Sequence, residues 1–186
     1  MARNEREKTE LKKALARWAI YLAAAFLASS LMWSAGGRLP LLMIPLSAAV
    51  AAFETPVRSA VFGCVCGLML DNCMGNLFGF YGILLLWTAL FISVLFTLLL
   101  RRHGLNVFFL NAAASGLLLF LHYFFYMRIW GYDDSSTILL TWYLPIFILT
   151  AIFAVPVFYM VKFLKIKLSP VREVTLEEKS EDITRE

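Results

Sequence analysis

Long apolar runs separated by short polar interruptions fill the chain between residues 18 and 161. They cover residues 18–35, 39–53, 57–74, 77–100, 105–127 and 138–161. None shows the alternation expected of barrel strands, so each is predicted to be a helix. At roughly 20 residues, most are long enough to cross the hydrocarbon core of a bilayer. The second run is short and carries Pro40 and Pro45, which predicts a tilted or irregular span. The sixth contains Pro145 and Pro156. The pattern therefore predicts an all-α polytopic membrane protein of six transmembrane helices. It divides into a basic N-terminal tail (1–17), a transmembrane domain (18–161) and a partly disordered C-terminal tail (162–186).

Composition agrees with this pattern. Hydrophobic residues make up 61% of the 186 residues and the mean hydropathy is +0.75, well above the roughly half-apolar composition of soluble domains. No stretch is left over for a soluble domain. With six spans both tails share a side, and every Lys and Arg except Arg38 and Arg128 lies in a tail or in a loop on that side. Cytoplasmic segments retain basic residues, so both termini are predicted to be cytoplasmic. The net charge of +4 is then a topology signal and implies no nucleic-acid partner. A cleaved leader is not expected from the first span, because its apolar core is too long and Trp33 occupies a position that cleavage reserves for a small residue. Leu11, Leu15 and Trp18 share a helical face flanked by lysines, which suits an anionic membrane surface.

Few side chains carry recognisable chemistry. Cys64, Cys66 and Cys73 all lie on the third span and read as small packing residues. His103 and His122 stand at opposite ends of the fifth span, with no second ligand at helical spacing, so no metal site and no cofactor is expected. Tyr123, Tyr126, Trp130 and Tyr132 at one end, with Trp18 and Tyr21 at the other, read as interfacial belts facing lipid. The adjacent acids Asp133 and Asp134, followed by Ser135 and Ser136, read as a turn and the capped start of the sixth span. Paired catalytic carboxylates are not otherwise present, so no enzymatic activity is expected.

The third span is the exception. Ser59, Gly63, Gly67 and Asp71 recur every four residues and form one slanted stripe on a helix, in which small residues let a neighbouring backbone approach closely. Asp71 closes the stripe and points into a helix contact. Gly75 is predicted to take a left-handed conformation beyond the helix end, with Asn76 capping the next helix. Arg38, Asn72 and His122 are the candidate polar partners of the carboxylate. Two readings stay open: the stripe receives a partner protein's helix and Asp71 fixes its register, or the stripe closes the chain's own bundle and Asp71 caps within it.

These residues resemble the rod shape-determining MreD family, whose most recognisable stretch has the form G-P-x-x-G-A-x-x-G-F-x-x-G-L-x-x-D followed by a small-residue turn. The matching positions are Pro56, Ser59, Ala60, Gly63, Gly67, Leu68 and Asp71, with Gly79 and Gly82 beyond them. Thr55 and Ser59 replace glycines, Phe62 precedes Gly63, and Glu54 before the turn is unfamiliar. The resemblance implies a multi-pass protein of the bacterial cytoplasmic membrane, a non-enzymatic scaffold of the elongation machinery that supports rod shape and lateral peptidoglycan synthesis. Implied partners are membrane lipid, an MreC-like single-span protein, the elongation glycosyltransferase and transpeptidase and, indirectly, MreB filaments. That family is also similar in its six-helix arrangement to the S components of energy-coupling-factor vitamin transporters. The alternative implied function is therefore a substrate-binding S component, which needs a ligand pocket near the outer face and small residues on the first span for docking. Ala24 and Ala28, or Ala25 and Ser29, are the available pairs.

Overall fold

The structure, a computed structural model, describes residues 2–34, 41–75, 77–99, 104–129 and 135–168, with side chains described from Lys12 onward apart from Ser135 and Ser136. These residues are helical almost throughout, with no strand among them. The helices are α1 (Ala2–Ser34), α2 (Met43–Ala51), α3 (Pro56–Met74), α4 (Phe80–Leu98), α5 (Gly104–Tyr123), α6 (Ser135–Ile138) and α7 (Leu144–Leu168). Two π-helical segments extend them: Phe124–Arg128 continues α5, and Leu139–Tyr143 joins α6 to α7. Five helices, Lys12–Ser34, Pro56–Met74, Phe80–Leu98, Gly104–Arg128 and Leu139–Leu168, are long and apolar enough to cross a membrane. The chain is thus an all-α, multi-pass membrane protein. Phe26, Val61, Trp87, Phe91, Phe109 and Phe163 point outward and are more than half exposed, as lipid-facing side chains are.

The stretch predicted as the second span differs from the other five. Its helix has only nine residues, and all nine are buried. Pro45 is tolerated in its first turn, where backbone N–H groups have no intrahelical acceptor to lose. The helix stops at Ala51, the chain turns through Ala52 and Phe53, and Pro56 starts α3 at the position where its fixed φ suits a helix. Ala48, Ala49, Ala51 and Ala52 are small enough for neighbouring helices to close around this segment, which packs on α1, α3, α4, α5 and α7.

Side-chain contacts give the bundle two chemically distinct ends. At the basic end, Arg17 of α1, Glu54 before α3, Ser93 of α4 and Lys165 of α7 come together. At the aromatic end, Tyr81, His122 and Tyr143 meet, and Cys73 of α3 reaches the Ser29 carbonyl of α1. The segment containing α2 runs between these ends: Leu41 donates its N–H to Thr150 Oγ1 on the aromatic side, while Phe53 and Glu54 lie at the basic end. Helical structure also extends beyond the first and last apolar runs. Helix α1 begins at Ala2, well before residue 18, and α7 continues past residue 161 to Leu168.

Two expectations about aromatic residues need correction. Tyr21 is fully buried, and Trp18 packs edge-on against Tyr21 and Phe62, so neither forms a lipid belt. Tyr123 packs on Tyr143, and Tyr126 packs on His122 while its hydroxyl accepts the Leu77 N–H at 2.9 Å. Tyr126 is drawn inward because its hydroxyl finds a backbone partner in place of water. Trp130, Tyr132, Asp133, Asp134 and His103 lie outside the described residues.

The interior of α5 carries a polar pair in an apolar setting. Asn111 and Ser115, one turn apart, are buried, and the Asn111 amide and Ser115 hydroxyl have no hydrogen-bond partner among the described residues. An unmet buried amide is destabilising, and an apolar side chain of similar size removes the penalty. Asn111→Leu is therefore expected to stabilise the protein by about 1–3 kcal/mol. Equilibrium unfolding in detergent micelles would show this, and a lower midpoint would mean that the amide holds a bound water or ion.

Candidate functional site

The stripe on α3 finds its neighbour within the chain. A Cβ added to Gly63 would stand 2.5 Å from the Leu85 carbonyl oxygen, and one added to Gly67 would stand 2.2 Å from the Tyr81 carbonyl oxygen, both on α4. The two backbones are therefore almost in contact, as glycine at four-residue spacing permits. Ser59, at the basic end of the stripe, is buried and donates its hydroxyl to the Glu54 carbonyl at 3.3 Å.

Asp71 is buried where the stripe ends. One carboxylate oxygen accepts the N–H groups of Gly79 at 2.9 Å and Gly82 at 3.2 Å, and the other accepts that of Tyr81 at 3.0 Å. These donors are the first N–H groups of α4, which have no intrahelical acceptor. The N-cap position is Gly79, at φ +99°, so it supplies no capping side chain and α3 supplies the carboxylate instead. Its negative charge also opposes the positive end of the helix dipole. Gly75 ends α3 in the left-handed conformation at φ +64°, and its N–H reaches the Asp71 carbonyl. One side chain thus fixes the end of α3, the start of α4 and their register.

The candidate polar partners of Asp71 are placed otherwise. Asn72 is exposed, turned about 100° around α3 from Asp71, and borders a groove shared with Phe26, Ser29 and Trp33 of α1. His122 is buried but is joined through Nδ1 to the Tyr143 hydroxyl at 2.8 Å. Its ring stacks on Tyr81 at 5.6 Å between centroids. Backbone amides replace both as the carboxylate's partners because the α3–α4 turn brings three of them to it at once. Arg38 and Asn76 lie outside the described residues.

Directly beyond Asp71, the aromatic end holds a cavity of about 330 Å³, within the size range of small-molecule pockets. Tyr81, His122, Trp142 and Tyr143 supply its aromatic and polar wall. Leu41, Met74, Leu119, Met127, Ile138 and Ile146 supply the rest. Both π-helical segments contribute, Met127 from the first and Trp142 and Tyr143 from the second. Single π turns recur at functional sites because they rotate side chains out of the regular helical register. Pro145 accounts for the second one: its ring would clash with the carbonyl of Thr141, four residues back, and widening of that turn relieves the clash.

Comparisons with protein families, with curated proteins and with solved structures find no match.

A second polar cluster, at the basic end, was not foreseen. Arg17 and Glu54, each almost wholly buried, form an ion pair at 3.2 Å. Arg58 approaches the same carboxylate from the surface at 4.0 Å. The Glu54 carbonyl accepts the Ser93 hydroxyl at 2.7 Å, and Lys165 donates to the carbonyl of Phe53. The cluster thus ties α1, α4 and α7 to the turn before α3. Its signal in the sequence is a lone acid flanked by apolar residues and a proline. Among the described residues no group of three or more His, Cys, Asp or Glu side chains could hold a metal ion.

Proposed function

We propose that this protein is a non-enzymatic membrane scaffold of the MreD type, which supports rod shape and lateral peptidoglycan synthesis by holding an MreC-like single-span protein beside the wall synthases. The reading rests on the resemblance of residues 54–82. The observation that carries it is that the most distinctive positions of that motif build the hairpin, since Gly63 and Gly67 admit α4 and Asp71 caps it. A motif that makes a rigid hairpin suits a scaffold, which needs fixed geometry and no reacting groups. On this reading the stripe is occupied by α4, so a partner helix docks elsewhere on the bundle.

The scaffold spans the membrane six times, with the segment around α2 making the second crossing inside the protein. Helices α1 and α3 both run from the basic to the aromatic end, so the chain between them must return. Leu41 and Glu54, at opposite ends of the bundle, mark that return. A buried crossing can be shorter than a lipid-exposed one, because protein surrounds its ends. Both termini then lie at the basic end, in the cytoplasm of a bacterium.

The substrate-binding S component remains the second reading, favoured by the cavity at the aromatic end. Against it, Ala25 and Ala28 are buried within the bundle and are not available for docking. Depletion in a rod-shaped host decides between the two. The scaffold reading expects cells to round up and an affinity-tagged MreC-like protein to co-purify with the chain. Unchanged shape with impaired vitamin uptake would transfer the assignment to transport, and unchanged shape without capture would overturn the scaffold.

A further inference from the structure

The cavity at the aromatic end contains a polar group with nothing to bind. Tyr81 is fully buried and belongs to the cavity wall, yet its hydroxyl has no hydrogen-bond partner among the described residues. Buried hydroxyls in folded proteins are almost always paired, and one at a cavity wall takes its partner from whatever fills the space. Water could meet the hydroxyl but would leave the six aliphatic and thioether side chains of the wall without apolar cover, whereas an amphiphile serves both. Nor does an ion suit the space, since no charged side chain among the described residues lines the cavity and the nearby Asp71 carboxylate is committed to three amides.

A second space borders this one on the outer surface. A groove of about 200 Å³ between α5 and the start of α7, walled by Gly116, Phe120, Leu139, Leu144 and Phe147, shares Leu119 and Tyr143 with the cavity. Its rim is exposed where the other outward side chains are apolar: Phe120 and Leu144 are about half exposed. Gly116 keeps the groove open, because a side chain there would project toward Phe147. The two spaces adjoin at Leu119 and Tyr143, the groove apolar on the lipid-facing side and the cavity polar at the Tyr81 wall.

From these adjoining spaces and the unpartnered Tyr81 hydroxyl we infer that the protein binds an uncharged, single-chain amphiphile, such as a monoacylglycerol or long-chain alcohol, that bridges the two. Its chain lies between α5 and α7, and its neutral head is held by the Tyr81 hydroxyl beside His122 and Tyr143. A groove of about 200 Å³ leaves no room for two chains side by side, and a zwitterionic or anionic head would find no countercharge among the described lining residues. Such binding is independent of the scaffold role.

Trp142, on the cavity wall, provides the readout. The other four tryptophans, Trp18, Trp33, Trp87 and Trp130, are replaced by Phe, and the full chain is placed in phosphatidylcholine nanodiscs. A monoacylglycerol brominated on its chain is then titrated against a brominated phosphatidylcholine of equal bromine content. Quenching of Trp142 by the monoacylglycerol is expected to saturate while it is still a minor lipid, and quenching by the phospholipid to rise in proportion to its amount. Tyr81→Phe, nearly isosteric, raises the half-saturating fraction about 3- to 10-fold, the value of one hydrogen bond. Gly116→Leu abolishes saturation; its Cβ meets Phe147 at an ordinary 3.4 Å, so the helix pair still closes while the groove fills. Proportional quenching by both lipids overturns the proposal. Saturation indifferent to Tyr81→Phe overturns the placement of the head, and saturation indifferent to Gly116→Leu overturns the placement of the chain between the helices.

Discussion

Gly67→Ala is expected to destabilise the protein by about 3 kcal/mol or more, at the upper end of what overpacking a well-filled core costs. The added methyl would lie 2.2 Å from the Tyr81 carbonyl oxygen, 2.5 Å from its carbon and 2.6 Å from the Gly82 Cα. All three are backbone atoms, so no rotamer change relieves the clash and α3 must move away from α4. That movement also draws Asp71 away from the amides of Gly79, Tyr81 and Gly82. Gly82→Ala makes a useful contrast, because its nearest neighbour is the flexible end of Leu68 at 2.9 Å and its cost is expected to be smaller. Asp71→Ala strands three N–H donors at once and is expected to cost about 3 kcal/mol or more. Asp71→Asn retains one acceptor oxygen, loses at least one bond, and falls between Asp71→Ala and the unmodified chain. Since both sites act on the same helix start, Gly67→Ala with Asp71→Ala should cost less than the sum. Unfolding midpoints of purified protein in one detergent give the order, and Gly67→Ala no worse than Gly82→Ala would refute the close-packed hairpin.

The same hairpin marks how far a sequence of this kind can be read. Spacing alone showed that Asp71 faces a helix, because glycines four residues apart leave a groove on that side. The carboxylate's partners were hidden because backbone N–H groups carry no residue identity; only the turn through Gly75 and Gly79 brings them within reach. Hydrophobic runs disclosed the five long helices for a simple reason: lipid contact demands uninterrupted apolar surface. Segment 39–53 looked much like the others, yet protein surrounds its helix, and length is then set by neighbours instead of bilayer thickness. Position along a span is also a poor guide to whether an aromatic ring faces lipid or protein, which is why Tyr126 and Tyr21 read as belt residues. The cavity draws its wall from residues spread between Leu41 and Ile146, and of its π segments only the one before Pro145 has a local cause. Arg17 and Glu54 are 37 residues apart, so nothing local in the sequence pairs them.

That ion pair carries the other large effect. Glu54→Gln keeps the size and shape of the side chain but removes the negative charge that faces the buried Arg17 guanidinium at 3.2 Å. Exposed pairs contribute little, and Arg58, more than half exposed at 4.0 Å, should matter correspondingly little. For a buried pair the asymmetry is severe: removing one partner costs about 3–5 kcal/mol, whereas replacing both with apolar groups is often neutral or stabilising. Glu54→Gln and Arg17→Met are therefore each expected to lower stability by about 3–5 kcal/mol. The double variant Arg17→Met with Glu54→Leu should recover most of that loss. Because the Glu54 carbonyl holds Ser93 through the backbone, the tie to α4 survives all three changes, and the cycle isolates the charge. A Glu54→Gln protein that unfolds within about 1 kcal/mol of the unmodified chain would show that the pair is solvated like a surface bridge. Failure of the double variant to recover would instead show that the guanidinium contributes through its packing against α1 and its neighbours, the stem of a long basic side chain being itself an apolar surface.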